Sequence, residues 1–268
     1  MLYAGSAAYY AVGRLPYPEA LPAVVRAELE LDGSGRLLDV GCGPGSLTLP
    51  LAPLFAEAVG VDADADMIDE AQRRARAARV GNVRWVRMRA EELSADLGEF
   101  RVATFAQSFH WMDGDRVAAI VRGMLEPGGR LVHVGATTHR GVTMDDPLPA
   151  PSPPREEITR LVARYLGDSP RAGRGRRPDG AARAEDDVYR RAGFDGPRRV
   201  TVPRGEVFLR SEDEIVASVF SLSSAAPHLF DERRDAFERD LRALLRTVSP
   251  DGRFAEKARE IELTIWTR

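Results

Sequence analysis

A mostly parallel α/β sheet with helices on both faces is the fold class the sequence predicts, and three observations predict it. Short apolar strands alternate with helix-period segments between residues 36 and 135. A glycine-rich stretch, Gly41-Cys-Gly-Pro-Gly45, stands directly after the first of those strands. Asp62 then closes the second strand. With 268 residues, 44% of them apolar, the chain is long enough to bury a sizeable core.

The elements follow in order. Arg36–Val40 reads as the first strand, because Leu37, Leu38 and Val40 form an apolar run that ends at the glycine stretch. Pro50 and Pro53 lack amide donors, so the helix after that stretch should be short or kinked. Ala58–Asp62 is the second strand. Asp64 caps a helix that runs to Arg79, in which Met67, Ile68, Ala71 and Ala75 recur at helical spacing. Val83–Val86 and Phe100–Ala106 give the third and fourth strands, and Arg130–Val134 the fifth, after a turn at Glu126-Pro-Gly-Gly129. Beyond residue 136 the character changes. Pro147, Pro149, Pro151, Pro153 and Pro154 crowd one stretch and Arg171, Arg174, Arg176 and Arg177 another, with a helical segment at 155–166 between them. Gly193 and Phe194 close a helix, and Arg199–Val202 and Ile261–Trp266 read as the sixth and seventh strands. Helical stretches near 211–220 and 231–248 lie between those two. The expected organisation is an N-terminal lid segment (1–30), a core (31–136), an insertion (137–192) and a C-terminal completion of the sheet with a helical cap (193–268).

Composition removes several function classes. The net charge of −3 offers no global basic field for nucleic acid or an anionic membrane. Lys257 is the only lysine, which leaves no Gly-Lys-Ser/Thr phosphate loop and no convincing Schiff-base residue. One cysteine, Cys42, forbids an internal disulfide and any multi-cysteine metal site. His110, His133, His139 and His228 form no His-Glu-x-x-His arrangement, so no metal is expected. No run of 18 apolar residues and no basic-then-apolar leader is present, and a cytoplasmic protein without a membrane partner is expected.

The chemistry concentrates at the glycine stretch. Without Cβ atoms, Gly41, Gly43 and Gly45 let the backbone turn tightly and approach a ligand, and the following helix aims free amides at it. Asp62 can accept both hydrogen bonds of a ribose diol, which selects an adenosine ligand without a 2′-phosphate. Ser46 stands where a dinucleotide fingerprint has Gly or Ala, and Asp39 adds negative charge beside the turn. That charge suits an ammonium or sulfonium better than a pyrophosphate. A turn that merely joins strand to helix, with Asp62 only a capping residue, is the plain alternative.

These residues resemble the S-adenosylmethionine-dependent methyltransferases of the Rossmann-like class I, in their small-molecule, type 11-like subset. The resemblance rests on 36–54, Asp62, the helix Asp64–Arg79 and Leu125-Glu-Pro-Gly-Gly-Arg-Leu131. It implies an open seven-stranded sheet with an antiparallel final strand, and S-adenosylmethionine as cofactor with S-adenosylhomocysteine as product. It implies that Asp39, Gly41, Gly43 and Gly45 hold the methionine part, Asp62 the ribose, and Met67, Ala90 and Glu91 the adenine, with Cys42 and Ala63 also among the cofactor-binding residues. Gln107 joins that set from the end of strand four. Arg89 stands where many relatives carry an acid, which leaves the adenine contact to backbone and Glu91.

Strand four runs into Gln107-Ser-Phe-His-Trp-Met-Asp113, a segment similar to the Ser-Phe-His-Trp pattern of that subset. Ligands of open parallel sheets sit beyond the carboxyl ends of the strands. An imidazole titrates near neutrality, so His110 is the candidate proton acceptor, with a merely structural hydrogen bond as the alternative. Phe109 and Trp111 are candidates to pack around a sulfonium or a flat acceptor, or simply to fill core. His133, inside strand five, reads as a core residue. His139 and His228 are weaker pocket candidates. The N-terminal Tyr9, Tyr10 and Arg14 resemble a lid that meets the cofactor carboxylate (Tyr10, Arg14) or the acceptor (Tyr9), or else dock the N-terminal helix. Arg174, within the arginine run, could grip an anionic acceptor or lie in a solvated loop. The leading expectation is methyl transfer to an O, N or C nucleophile of a small molecule. The alternatives are a cofactor binder without methyl transfer, an RNA methyltransferase and a nucleotide-dependent oxidoreductase. The Gly-x-Gly-x-Gly spacing disfavours the last, and the charge balance disfavours RNA.

Overall fold

In the computed structural model, residues 5–142, 148–167 and 181–268 are described, and among them the chain separates into two compact units. The first holds 17–136, 181–203 and 260–268; the second holds 5–16, 137–142, 148–167 and 204–259. Each has its own apolar core.

The first unit is the sheet. Its strands are β1 (Arg36–Val40), β2 (Glu57–Asp62), β3 (Val83–Arg87), β4 (Phe100–Ala106), β5 (Leu125–Gly135), β6 (Asp195–Val202) and, last in the chain, β9 (Ile261–Thr267). They lie in the order β3-β2-β1-β4-β5-β9-β6. The four pairs from β3 to β5 are parallel, while β9 runs antiparallel to both β5 and β6. The expected seven-stranded sheet with an antiparallel final strand is therefore present. The pleat divides the buried side chains between two faces. Leu38, Val40, Val59, Val61, Ala103 and Phe105 pack with Val117, Ala118 and Val121 of α5 (Gly114–Met124) and Tyr189 of α7 (Ala181–Arg191). Leu37, Ala58, Val102 and Val132 pack with Leu21 and Val25 of α2 (Leu21–Glu28) and with Leu51 of α3 (Thr48–Leu51). The α4 helix (Ala65–Ala78) starts at Asp64, whose side chain accepts from the Asp66 amide, and ends at Arg79 with φ +56°.

One local expectation needs correction and another holds. Glu126–Gly129 is not a turn ahead of strand five. The strand already begins at Leu125, paired with Phe100, and the next pairing is Arg130 with Val102, so those four residues bulge out of the ladder. The helix after the glycine stretch is only Thr48–Leu51, followed by a 3-10 turn at Ala52–Leu54, as Pro50 and Pro53 require. Its first turn starts three residues beyond Gly45, so the turn's own backbone rather than a long helix dipole faces a ligand.

The second unit is mainly helical: α1 (Ala7–Gly13), α6 (Arg155–Leu166), α8 (Glu212–Phe220) and α9 (Arg234–Val248), with a hairpin-like pair of antiparallel strands β7 (Val207–Ser211) and β8 (Arg253–Lys257) that sequence patterning did not predict. Its core joins Ile158, Leu161, Phe220, Phe230 and Phe237, with the last two rings stacked at 4.1 Å. This division differs from the grouping expected from sequence. Leu21–Glu28 belongs with the sheet, because Leu21 and Val25 are buried in the sheet's core. The 204–259 segment forms a core of its own with α1 and α6, because its aromatic residues pack there. Among the described residues no helix is long and apolar enough to cross a membrane.

Candidate cofactor site

The carboxyl ends of β1, β2 and β4 bring most of the expected residues together. Gly41, Gly43 and Gly45 all take positive φ (+70°, +53° and +75°), and the amides of Gly41 and Cys42 both donate to the Val61 carbonyl, at 2.8 and 3.0 Å. This folds the turn back onto the end of β2. Asp62 finishes the arrangement: one carboxylate oxygen accepts from the Gly43 amide and the other from the Asp64 amide, each at 2.9 Å. Burial holds the Asp62 carboxyl above the usual carboxylate range, against the lowering effect of those two amides.

Asp39 lies beneath the turn and is 1% exposed. Its two oxygens accept from the hydroxyls of Thr48 (2.5 Å) and Thr104 (2.7 Å), partners that sequence reasoning missed. Desolvation pushes its pKa up to about 6, opposed by the two hydroxyls and helped by the neighbouring Asp62 charge. Cys42, buried in the same place, has its thiol pushed up by burial and then by Asp39 and Asp62, so it is no ready nucleophile.

The segment after β4 packs directly against the turn. A Cβ at Gly41 would lie 2.4 Å from Ser108 Cβ, and the Ser108 hydroxyl donates to the Val40 carbonyl at 2.6 Å. Gln107, with φ +57°, donates from its amide nitrogen to the Val134 carbonyl. His110 lies in the 3-10 turn Phe109–Trp111, half-buried, with its ring 4.4 Å from that of Trp111. Phe109 is buried in the core against Phe105 and Tyr189. On the adenine side the expected residues are placed as follows. Ala63 is exposed, Met67 and Ala90 are buried, and Glu91 accepts from the Asp113 amide at 3.0 Å. That bond ties the Ala90–Glu92 turn to the cap of α5.

Tyr9, Tyr10, Arg14, His139 and His228 belong to the helical unit. The Tyr9 hydroxyl accepts from Arg234 at 2.6 Å, and its ring packs on Phe220. Arg14 donates to the Ser221 hydroxyl and carbonyl, both at 2.8 Å, and to the Thr138 hydroxyl, while stacking on Tyr10. His139 is pushed down to about 3 by burial and by Arg14, Arg140, Arg155 and Arg259, so it is neutral at physiological pH. His228 is exposed. His133, on β5, bonds the Tyr189 hydroxyl at 3.1 Å and faces Glu185 at 3.5 Å, as a core residue. Arg174 lies outside the described residues.

Comparison with known proteins bears on this geometry. Residues 37–129 match a family model described as a methyltransferase domain. An uncharacterized methyltransferase of Mycobacterium tuberculosis, Rv3342, is 36% identical over 127 residues, covering 46% of each chain. A tRNA (uracil-5-)-methyltransferase homolog A of Mus musculus is 35% identical over 78 residues, 29% of this chain and 13% of that one. The chain thus spans less than half the length of the curated relatives it matches. The crystal structure of YcgJ from Bacillus subtilis shares the fold, with a TM-score of 0.53 at 17% identity over 92% of this chain and 97% of the other. Residues 37–129, which contain the turn, Asp62 and the His110 segment, match the methyltransferase-domain family.

Proposed function

We propose that the protein transfers the methyl group of S-adenosylmethionine to an O, N or C nucleophile of a small molecule, in the cytoplasm. The observation that carries this is the Asp62 carboxylate fixed at the lip of a turn whose central glycine faces open space. A Cβ at Gly43 would meet nothing within 4 Å, and the turn carries the half-buried Asp62 carboxylate, with the buried Asp39 beneath it. A ligand with a ribose diol and a cationic amino acid part fits this set, because it offers two donors to Asp62 and positive charge to Asp39. In this reading Gly41, Cys42, Gly43 and Gly45 cradle the methionine part. Ala63, Met67 and Ala90 flank the adenosine, and Gln107 borders the reactive end.

Bound S-adenosylmethionine supplies an electrophilic methyl group on a positively charged sulfur. The chain's own contribution is to orient the two reactants, exclude water and take up a proton. His110 is proposed to accept that proton at an imidazole nitrogen while Trp111 packs against the acceptor. The test couples two readings. S-adenosylhomocysteine formation is assayed with small phenols, amines and carboxylic acids and, in parallel, with total tRNA and rRNA. Turnover with a small acceptor, and a pH–rate profile at saturating S-adenosylmethionine whose acid limb disappears in His110→Ala, is expected. Methylation of RNA alone overturns the substrate class, and a profile unchanged in His110→Ala overturns the base. The tRNA-methyltransferase match spans 78 residues, 13% of that protein, and favours no RNA acceptor by itself.

Asp39 gives the site a pH dependence of definite sign. The folded chain holds this proton up to about pH 6, whereas an ordinary aspartate loses it near 3.8. Between these values the folded state binds more protons than the unfolded, so the ligand-free fold loses stability as pH rises through that window. A cationic ligand favours the carboxylate. Affinity for S-adenosylhomocysteine, which carries the same ammonium group, should therefore be flat above pH 7 and fall by up to about tenfold per unit below 6. Calorimetry at pH 6 in two buffers of different ionisation enthalpy should detect proton release on binding, and Asp39→Asn should abolish it. Equal heats in both buffers would count against this assignment.

A further inference from the structure

The turn that the sequence marks is supported by side chains that no motif marks. Pairing across the sheet aligns Thr104 of β4, Asp39 of β1, Gly60 of β2 and Trp85 of β3 in one row. Gly60 is the gap in that row, and the Trp85 indole leans over it. A Cβ built at Gly60 would lie 2.5 Å from Cζ3 and 2.6 Å from Cε3 of the indole, and 3.1 Å from the Cys42 sulfur. The same ring continues to the turn, where a Cβ at Gly45 would lie 2.7 Å from its Cη2. A second support comes from α4: Arg74 donates to the Pro44 carbonyl at 2.9 Å and to the Ser46 hydroxyl at 3.0 Å. The limb Pro44–Ser46 therefore takes its position from an indole and a guanidinium that both lie outside it.

Close packing of this kind transmits displacement, because an interior without voids cannot absorb an added methyl group locally. A turn freed from its support must also be ordered again when ligand binds, which weakens binding without removing any ligand contact. We propose that Trp85 is a positioning residue for the cofactor. By filling the space over Gly60 and abutting Gly45, it fixes the backbone of the glycine turn in its binding conformation. The inference rests on the reading that this turn holds S-adenosylmethionine.

The test is a double-mutant cycle read by calorimetric titration of the full chain with S-adenosylhomocysteine, with urea unfolding of every variant alongside. Gly60→Ala should push the indole toward the turn and weaken binding about tenfold, within the range such couplings span. Trp85→Leu should weaken it about fivefold by leaving a void, and Trp85→Phe should recover most of that loss. In Gly60→Ala/Trp85→Leu the added methyl group occupies the vacated space. The double variant should therefore bind no worse than Trp85→Leu alone, well short of the roughly fiftyfold loss that independent effects would give. A merely structural role for Trp85 would lower the unfolding midpoints and leave the affinity of the folded protein unchanged. Affinity within twofold of wild type in Trp85→Leu, or single losses that simply multiply, overturns the proposal. Trp85→Phe and the double variant keep the ring or the volume, so the test survives poor folding of either single variant. Asp62→Ala separates the two levels of the argument: full affinity there refutes the reading of the turn itself. Loss there together with an unaffected Trp85→Leu refutes only the role of Trp85.

Discussion

Asp62→Ala should weaken S-adenosylhomocysteine binding by about ten- to a hundredfold while NAD remains a poor ligand for both proteins. Hydrogen bonds to a charged group contribute on the order of 1.5–3 kcal/mol, and this carboxylate is expected to accept two from the ribose diol. It also holds the turn in the absence of ligand, through the Gly43 and Asp64 amides. The variant therefore loses an acceptor and a backbone anchor together. Asp62→Asn retains one acceptor oxygen and replaces the other with a donor facing an amide or the diol, so it should recover only part of the affinity. Calorimetric titration with S-adenosylhomocysteine measures this directly. An affinity within threefold of wild type in Asp62→Ala would mean that the ribose lies elsewhere. Binding of NAD in preference to the sulfur ligands would remove the cofactor assignment for this chain.

The parts of this site that were legible in the sequence are those where local backbone geometry admits few residue types. Three glycines at Gly41, Gly43 and Gly45 announce three positive φ angles, and an acid at the end of the next strand announces a carboxylate at the same crevice. Pro50 and Pro53 likewise forecast the broken helix. The parts that were not legible depend on register. Thr104 meets Asp39 only because β4 pairs with β1 with those two residues opposite each other, and Trp85 meets Gly45 only because β3 pairs with β2 at Gly60. Nothing in a linear reading fixes such offsets. Glu91 illustrates a third case, where a residue of the expected type stands in the expected place yet spends one carboxylate oxygen on the Asp113 amide. The helical unit was the least legible. Its strands β7 and β8 carry no clean alternation, and the N-terminal segment expected as a lid has its Tyr9 and Arg14 engaged by Arg234, Ser221 and Thr138.

That unit also contains the largest stability effect we expect, at a residue with no sequence signal. Glu256 of β8 is 4% exposed and accepts from two arginines, Arg155 at 2.7 Å to each oxygen and Arg210 at 2.9 Å, and from the Gly141 amide. Burial alone would raise its pKa, but the paired guanidinium groups and the amide hold it below the ordinary glutamate value. Arg210 is itself 4% exposed and donates onward to the Gly13 and Glu214 carbonyls, so the cluster joins α1, α6, α8, β7 and β8. Glu256→Ala removes the carboxylate that both guanidinium groups share among the described residues, and such a loss destabilises by about 3–5 kcal/mol. Urea unfolding followed by circular dichroism should show this as a lower midpoint, or as a separate early transition if the two units unfold independently. Glu256→Gln, which keeps the acceptor oxygen but not the charge, should fall between that variant and wild type. The pH dependence has the opposite sign to that of Asp39. A depressed carboxyl contributes stability that is present above its unfolded value near 4.5 and is lost as pH falls through the folded value. Acidification should therefore narrow the gap between wild type and Glu256→Ala. A gap below about 1 kcal/mol at pH 7 would mean that water, rather than Glu256, compensates the two arginines.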